Sequence, residues 1–241
     1  MPKHVEKMEH RRHVLERTDT YCASTTSGVV PTYIMDEEFK TYKKDVVFTP
    51  ALYKITDEVL VNANDASIED PTVTEIEVKV NEKAISVKNN GMGIPIVWME
   101  DYGNWSIVMC FGELLTSSNF KDNGTRRVGG RNGYGSKVAN ILANVFIAEV
   151  GDPVNKKHIK VRWEQNMSVV KVSEVKDYNG PGVVKISFQP DMSRFDVNEI
   201  SPDMIDVFRR RTAEFGAFTS RKQKVKISFN GKKIPVQDLS S

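Results

Sequence analysis

The chain has 241 residues, 39% of them hydrophobic and 27% charged, with 34 Lys and Arg against 32 Asp and Glu for a net charge of +2. That length holds one large domain or a domain with an appendage, and the near balance of charge excludes a global nucleic-acid signature. Neither the two cysteines, Cys22 and Cys110, nor the four histidines, His4, His10, His13 and His158, form a metal-ligand pattern, and no apolar run approaches membrane length, so neither a structural zinc nor a membrane span is expected.

The N-terminal Met-Pro-Lys-His-Val-Glu has no apolar stretch of the signal-peptide kind, which predicts an intracellular, reducing setting. Residues 6–17 are charged and end on Val14 and Leu15, predicting a short helix; residues 18–48 read as an irregular strap with short strands. Thr49-Pro50 supplies a cap and a first-turn proline. Behind it Leu52, Ile55, Val59, Leu60 and Ala63 recur at helical spacing, predicting a helix over 50–66. Alternation over 76–80 and 84–88 predicts a hairpin. Residues 97–115 are helical in tendency, a glycine-rich segment spans about 116–135, and a helix follows to about 143. Four strands are expected at 145–150, 159–163, 169–175 and 183–188, then a helix over 203–217 capped by Ser201-Pro202. A last hairpin, 225–229 and 233–236, turns at Asn230-Gly231. Helices set among mostly antiparallel strands predict an α+β two-layer sandwich, divided as 1–48, N-terminal helix and strap, and 49–241, the main domain.

Three segments carry candidate chemistry. Gly129-Gly-Arg-Asn-Gly-Tyr-Gly-Ser-Lys137 places four glycines in seven residues just before an apolar helix. Such a loop aims main-chain N–H groups and a helix dipole at one point, as a phosphate site does, although glycine clusters also make plain turns. It is neither a Walker A loop, because Ser136 precedes Lys137, nor a dinucleotide fingerprint, because Val138 stands where a glycine is needed. Glu58, Asn62 and Asp65 share one face of the 50–66 helix; an amphipathic helix showing its polar side to water explains them equally well. Asn89-Asn-Gly-Met-Gly-Ile-Pro95 ends a strand abruptly and is either a turn or a backbone platform beneath a flat ligand. From Arg209 to Lys233 nine Lys and Arg face one acid, Glu214; a solvated surface is the favoured reading and an anion-facing patch the other.

The three segments come in one order, Glu-x-x-x-Asn-x-x-Asp, Asn-x-Gly-x-Gly, then the glycine loop, and that order resembles the GHKL (Bergerat-fold) ATPases. Leu52 to Asn62, Leu114-Leu-Thr-Ser-Ser-Asn119, Gly129 to Gly135, Gln189 to Phe195 and Phe229 to Pro235 narrow the resemblance to the ATPase domain of eukaryotic-type type II DNA topoisomerases, over roughly residues 14 to 236. The resemblance implies ATP and Mg²⁺ as cofactors. It implies that Glu58 is the general base for the attacking water and that Asn62 is the metal ligand. Asp65 supports the adenine side or the water shell, Asn89 reads the adenine amino group, and Gly93 permits close approach. Ser117, Ser118 and Asn119 contact ribose and phosphates. Gly130, Arg131, Asn132, Gly133, Tyr134, Gly135, Ser136 and Lys137 wrap the triphosphate.

The resemblance further implies an ATP-driven homodimer in which the N-terminal strap crosses over. It also implies double-stranded DNA as partner of the full-length enzyme and a place in the nucleus, or in the host compartment of DNA replication if the source is viral. The alternative is a non-hydrolysing nucleotide-sensing or DNA-binding clamp module. Two departures stand out. Tyr21-Cys-Ala-Ser24 replaces the usual Tyr-Ile-Gly-Ser, which bears on the local turn, and Val184 falls where a threonine is usual behind the adenine. The family's following domain, with its γ-phosphate lysine, and its DNA-cleaving domain are expected to be absent from these residues. Slow turnover and no strand passage by this chain alone are therefore expected.

Overall fold

The computed structural model describes residues 8–114, 134–219 and 225–235. In chain order it begins with α1 (His10–Glu16), α2 (Thr18–Cys22) and an antiparallel hairpin of β1 (Gly28–Met35) and β2 (Thr41–Phe48), and continues with α3 (Pro50–Glu69), β3 (Glu75–Val80) and β4 (Ile85–Asn90). Next come β5 (Trp98–Met99), β6 (Asn104–Trp105), α4 (Ser106–Gly112) and α5 (Gly135–Ile141). The second half contains β7 (Ala143–Asp152), β8 (Lys157–Glu164), β9 (Val169–Val172), β10 (Lys176–Asp177), β11 (Val183–Pro190), α6 (Pro202–Thr219), β12 (Lys226–Phe229) and β13 (Lys232–Lys233).

Nine strands form one sheet in the order β10-β8-β7-β11-β4-β3-β12-β13, with β9 beside β8. All pairs are antiparallel except β12 with β3. Alternation sorts the faces: Ile76, Val78 and Val80 of β3 are buried while Glu75 and Lys79 are exposed. The apolar face is covered by α3, whose Leu52, Ile55, Val59 and Leu60 are at most 2% exposed, together with α4, α5 and α6. Each fully buried aliphatic side chain of this kind contributes on the order of 1.5–3 kcal/mol. Helices on one face of a mostly antiparallel sheet make the two-layer α+β sandwich expected from the sequence.

Three local differences from the sequence reading have physical causes. The 18–48 strap contains two full eight-residue strands, Gly28–Met35 and Thr41–Phe48. Their exposed valines and tyrosines hid the alternation, and α6 packs on the hairpin. The helical tendency of 97–115 resolves into a small β5–β6 hairpin and a helix of only seven residues. Trp98 and Trp105 meet edge to face at 5.4 Å across that hairpin, and Gly103 makes its left-handed turn. Third, α3 continues to Glu69.

Arg209, Arg210 and Arg211 of α6 serve the fold. Arg209 is 5% exposed, donates to the Met35 carbonyl at 2.7 Å and pairs with Asp206. Arg210 donates to the Tyr33 carbonyl at 3.0 Å, and Arg211 binds Asp57 of α3 at 2.7 Å and Glu214 at 3.1 Å. The triplet ties α6 to the hairpin and to α3. Among the described residues, no helix is long and apolar enough to cross a membrane.

Candidate functional site

Between α3, the sheet and the segment after β4 lies a cavity of about 500 Å³, a size that suits a nucleotide-sized ligand. Its sheet-side floor is Val87, Asn89, Val184 and Ile186; α3 contributes Asn62, Asp65 and Glu69 to the opposite wall, and Ser136 of α5 closes one end. In the β4–β11 register Asn89 faces Val184 and Val87 faces Ile186. These four side chains therefore form one patch with a single polar member. Asn89 is 5% exposed, and its Nδ2 donates to the Asn90 carbonyl at 2.9 Å.

The segment after β4 is held from both sides. The Asp70 carboxylate, just past the end of α3, accepts from the Met92 N–H at 2.6 Å and from the Thr72 N–H and hydroxyl at 2.9 and 2.6 Å. Burial pushes the Asp70 carboxyl up, but these hydrogen bonds outweigh it and leave it below the usual carboxylate range. Asp152 at the end of β7, 1% exposed, accepts from the Ile96 N–H at 2.8 Å and from Asn155 and Val154; burial raises its pKa, the hydrogen bonds lower it, and the balance is again downward. Gly93 sits between these anchors at φ +75°, with room for a Cβ only 3.1 Å from the Gly151 carbonyl, so a side chain would be strained there.

One turn before Asn62, Glu58 forms an i,i+4 ion pair with Lys54 and leans on the start of α5, whose Ser136 lines the cavity. A Cβ on Gly135 would stand 1.9 Å from Glu58 Oε2. The last glycine of the loop is therefore the residue that lets the carboxylate lie against the helix start. Asn62, one turn on, is exposed at the cavity wall. Tyr134 precedes α5 and lies 6.5 Å, ring to ring, from Tyr21, whose hydroxyl meets His13 Nδ1 at 2.8 Å. Lys137, 1% exposed, is pushed down by burial against the upward pull of Cys110 and Glu113.

The structure thus brings Asn62, Asp65, Asn89, Gly93 and Ser136 around one cavity and places Glu58 and Gly135 in contact beside it. Ser117, Ser118, Asn119, Gly130, Arg131, Asn132 and Gly133 lie outside the described residues. Sequence reasoning missed Asp70, Asp152 and Cys110. Only Asp70 left a signal there, as an acid followed by proline just beyond the 50–66 helix.

No protein-family model matches the chain. The DNA topoisomerase 2 of Saccharomyces cerevisiae is 36% identical over 241 residues, which is 98% of this chain and 17% of that protein. The crystal structure of the ATPase region of Saccharomyces cerevisiae topoisomerase II superposes with a TM-score of 0.91 at 36% identity, covering 97% of this chain and 62% of that one. The 43K ATPase domain of Thermus thermophilus gyrase B, in complex with an aminocoumarin, shares the fold at a TM-score of 0.64 and 20% identity, covering 92% of this chain and 50% of that one. This chain spans under a fifth of the length of its curated yeast relative. With 98% of this chain matching the yeast relative at 36% identity and 97% of it superposing on part of that protein's ATPase region, the chain belongs to the type II DNA topoisomerase family, as the counterpart of part of its ATPase region.

Proposed function

We propose that this chain is the ATP-binding and ATP-hydrolysing gate of a type II topoisomerase. In this reading ATP draws two copies together with their N-terminal straps crossing, and hydrolysis resets the clamp. The partner of the complete enzyme is double-stranded DNA, which places it in the nucleus of a eukaryotic cell or in the compartment where a virus replicates DNA. The observation that carries the reading is the contact between Glu58 and Gly135, next in the chain to Ser136, which lines a cavity floored by Asn89. A carboxylate beside a glycine-opened helix N-terminus sets a proton acceptor next to a phosphate-binding position.

The residues fit a magnesium nucleotide. Asn62 and Asp65 put hard oxygen donors at the cavity wall, of the kind an ion that keeps most of its waters takes sparingly. Asn62 would hold it through the amide oxygen, and when bound the ion neutralises phosphate charge. Glu58 accepts the proton of the attacking water. Asp65 supports the water shell or the base, and Asn89 receives the adenine amino group above Gly93. Tyr134, Gly135, Ser136 and Lys137, with Gly130 to Gly133, enclose the triphosphate, and Ser117, Ser118 and Asn119 contact ribose and phosphate. Positioning and charge stabilisation supply most of the catalysis, as in phosphoryl transfer generally.

The test is Glu58→Ala. Loss of hydrolysis by roughly a hundredfold or more with nucleotide affinity retained is expected for a general base. Hydrolysis at the parent rate refutes the assignment. Direct DNA recognition through Arg209 to Arg211 is disfavoured, because all three are engaged within the fold.

A further inference from the structure

We propose that Lys54 is a positioning residue for hydrolysis: its ammonium holds one oxygen of the Glu58 carboxylate, so that the other oxygen is kept at the start of α5 to receive the proton of the attacking water. The proposal rests on Glu58 being the base.

The two oxygens of the Glu58 carboxylate have different surroundings. Oε1 pairs with the Lys54 ammonium, one turn back along α3. Oε2 is the atom nearest to the point where a side chain on Gly135 would begin. The last torsion of a glutamate is broad and roughly two-fold, so a free carboxylate would turn either oxygen, or the gap between them, toward α5. A general base has to stand within hydrogen-bond reach of the proton it takes. The ammonium on Oε1 removes that freedom and leaves Oε2 as the oxygen presented at Gly135, the last glycine of the loop.

The pair does little for the fold. Its side chains are 46% and 27% exposed, and ion pairs so open to water add little stability. Lysine before glutamate is also the less favourable order for helix support at this spacing. The neighbouring acid shows the contrast: Asp57, its side chain 13% exposed, is bound by Arg211 at 2.7 Å and ties α3 to α6. Arg211 is further engaged by Glu214, so among the described residues Lys54 is the one cation paired with Glu58. The backbone beneath the pair is already fixed, since Ile55 and Val59 are 0% and 2% exposed in the core. What Lys54 orders is therefore the end of the Glu58 side chain, the part that does the chemistry.

The experiment is single-turnover hydrolysis of labelled ATP over a series of chain concentrations, which gives the saturated rate and the half-saturating concentration separately. Lys54→Met keeps the stem and removes the charge. It is expected to lower the saturated rate about 10- to 100-fold, as for a reacting group misplaced by about 1 Å, with half-saturation within about threefold of the parent and an unchanged thermal melt. Lys54→Arg keeps a cation within reach and is expected to hold the saturated rate within about threefold of the parent. A saturated rate in Lys54→Met that matches the parent overturns the proposal. Weaker half-saturation at an unchanged saturated rate does so too, because it marks a lysine that binds the nucleotide directly. So does a loss that Lys54→Arg fails to recover or that follows a lowered melt, which gives Lys54 a structural part only. Hydrolysis at the parental rate by Glu58→Ala, or none by the parent chain, overturns the reading of Glu58 as base and this proposal with it.

Discussion

Gly135→Ala separates what the glycine loop does for stability from what it does for chemistry. Position 135 opens α5, and alanine is the better helix former by about 1 kcal/mol, so local propensity forecasts a gain. The new methyl, however, would stand 1.9 Å from Glu58 Oε2, 2.6 Å from its Cδ and 3.0 Å from its Cβ. Ordinary contact is restored only if the carboxylate retreats by about 1.5 Å. That movement lies at the end of a flexible side chain, and it loosens only a partly exposed ion pair to Lys54, a term of about 0.5 kcal/mol. Net stability is therefore expected to stay within about 1 kcal/mol of the parent. Catalysis is less tolerant, since misplacing a reacting group by about 1 Å can cost a hundredfold. Thermal unfolding, titration with labelled ATP and single-turnover hydrolysis, run on the same preparations, read the three effects. The expected pattern is an unchanged melt, affinity within about threefold, and hydrolysis slowed about 30- to 100-fold. Parental hydrolysis with an intact fold would refute the placement of Glu58 against the loop as functional.

Two further substitutions test the frame around the site. Ala23 has φ 74° and ψ −169°, a region open essentially to glycine alone, so Ala23→Gly is expected to stabilise the chain by about 1 kcal/mol in urea unfolding; a loss of stability would show that the conformation carries no strain. The folded-state pKa of Asp152 is depressed, so its contribution is present above the unfolded value of about 4 and fades as pH falls through the lower folded value. Asp152→Asn is expected to cost about 2 kcal/mol at neutral pH and to flatten the acid limb of the stability profile; an unchanged acid limb would mean that the carboxylate is not the group being titrated.

Period and punctuation made most of the fold legible. The 50–66 helix announced itself through Thr49-Pro50 and five apolar residues at helical spacing, and the β3–β4 hairpin through strict alternation. The β1–β2 hairpin did not, because it shows Val29, Tyr33, Tyr42 and Val47 to solvent, and period-2 reasoning needs one buried face. The 97–115 stretch misled for the opposite reason. Ile107, Val108 and Phe111 do form a helix, but a tryptophan pair seven residues apart commits the preceding turn to a hairpin. At the site, residue types and their order could nominate Glu58, Asn62 and Asn89, yet no spacing rule could predict that Gly135 touches Glu58, because that contact crosses 77 residues of chain. The Ala23 departure was visible as a sequence oddity, and the backbone angle supplies its meaning: the position is one that favours glycine.

These contacts also explain why one helix can govern both the start of α5 and the Met92 turn. Glu58 meets Gly135 near the middle of α3, and Asp70, the residue that ends it, holds the Met92 N–H. Twelve residues at 1.5 Å per residue separate them, about 18 Å along the axis. The helix is pinned between these points by Val59, Leu60 and Ala63, all at most 5% exposed, and close-packed cores of this kind do not deform gradually. The distance from the start of α5 to the Met92 turn is therefore set by a rigid rod.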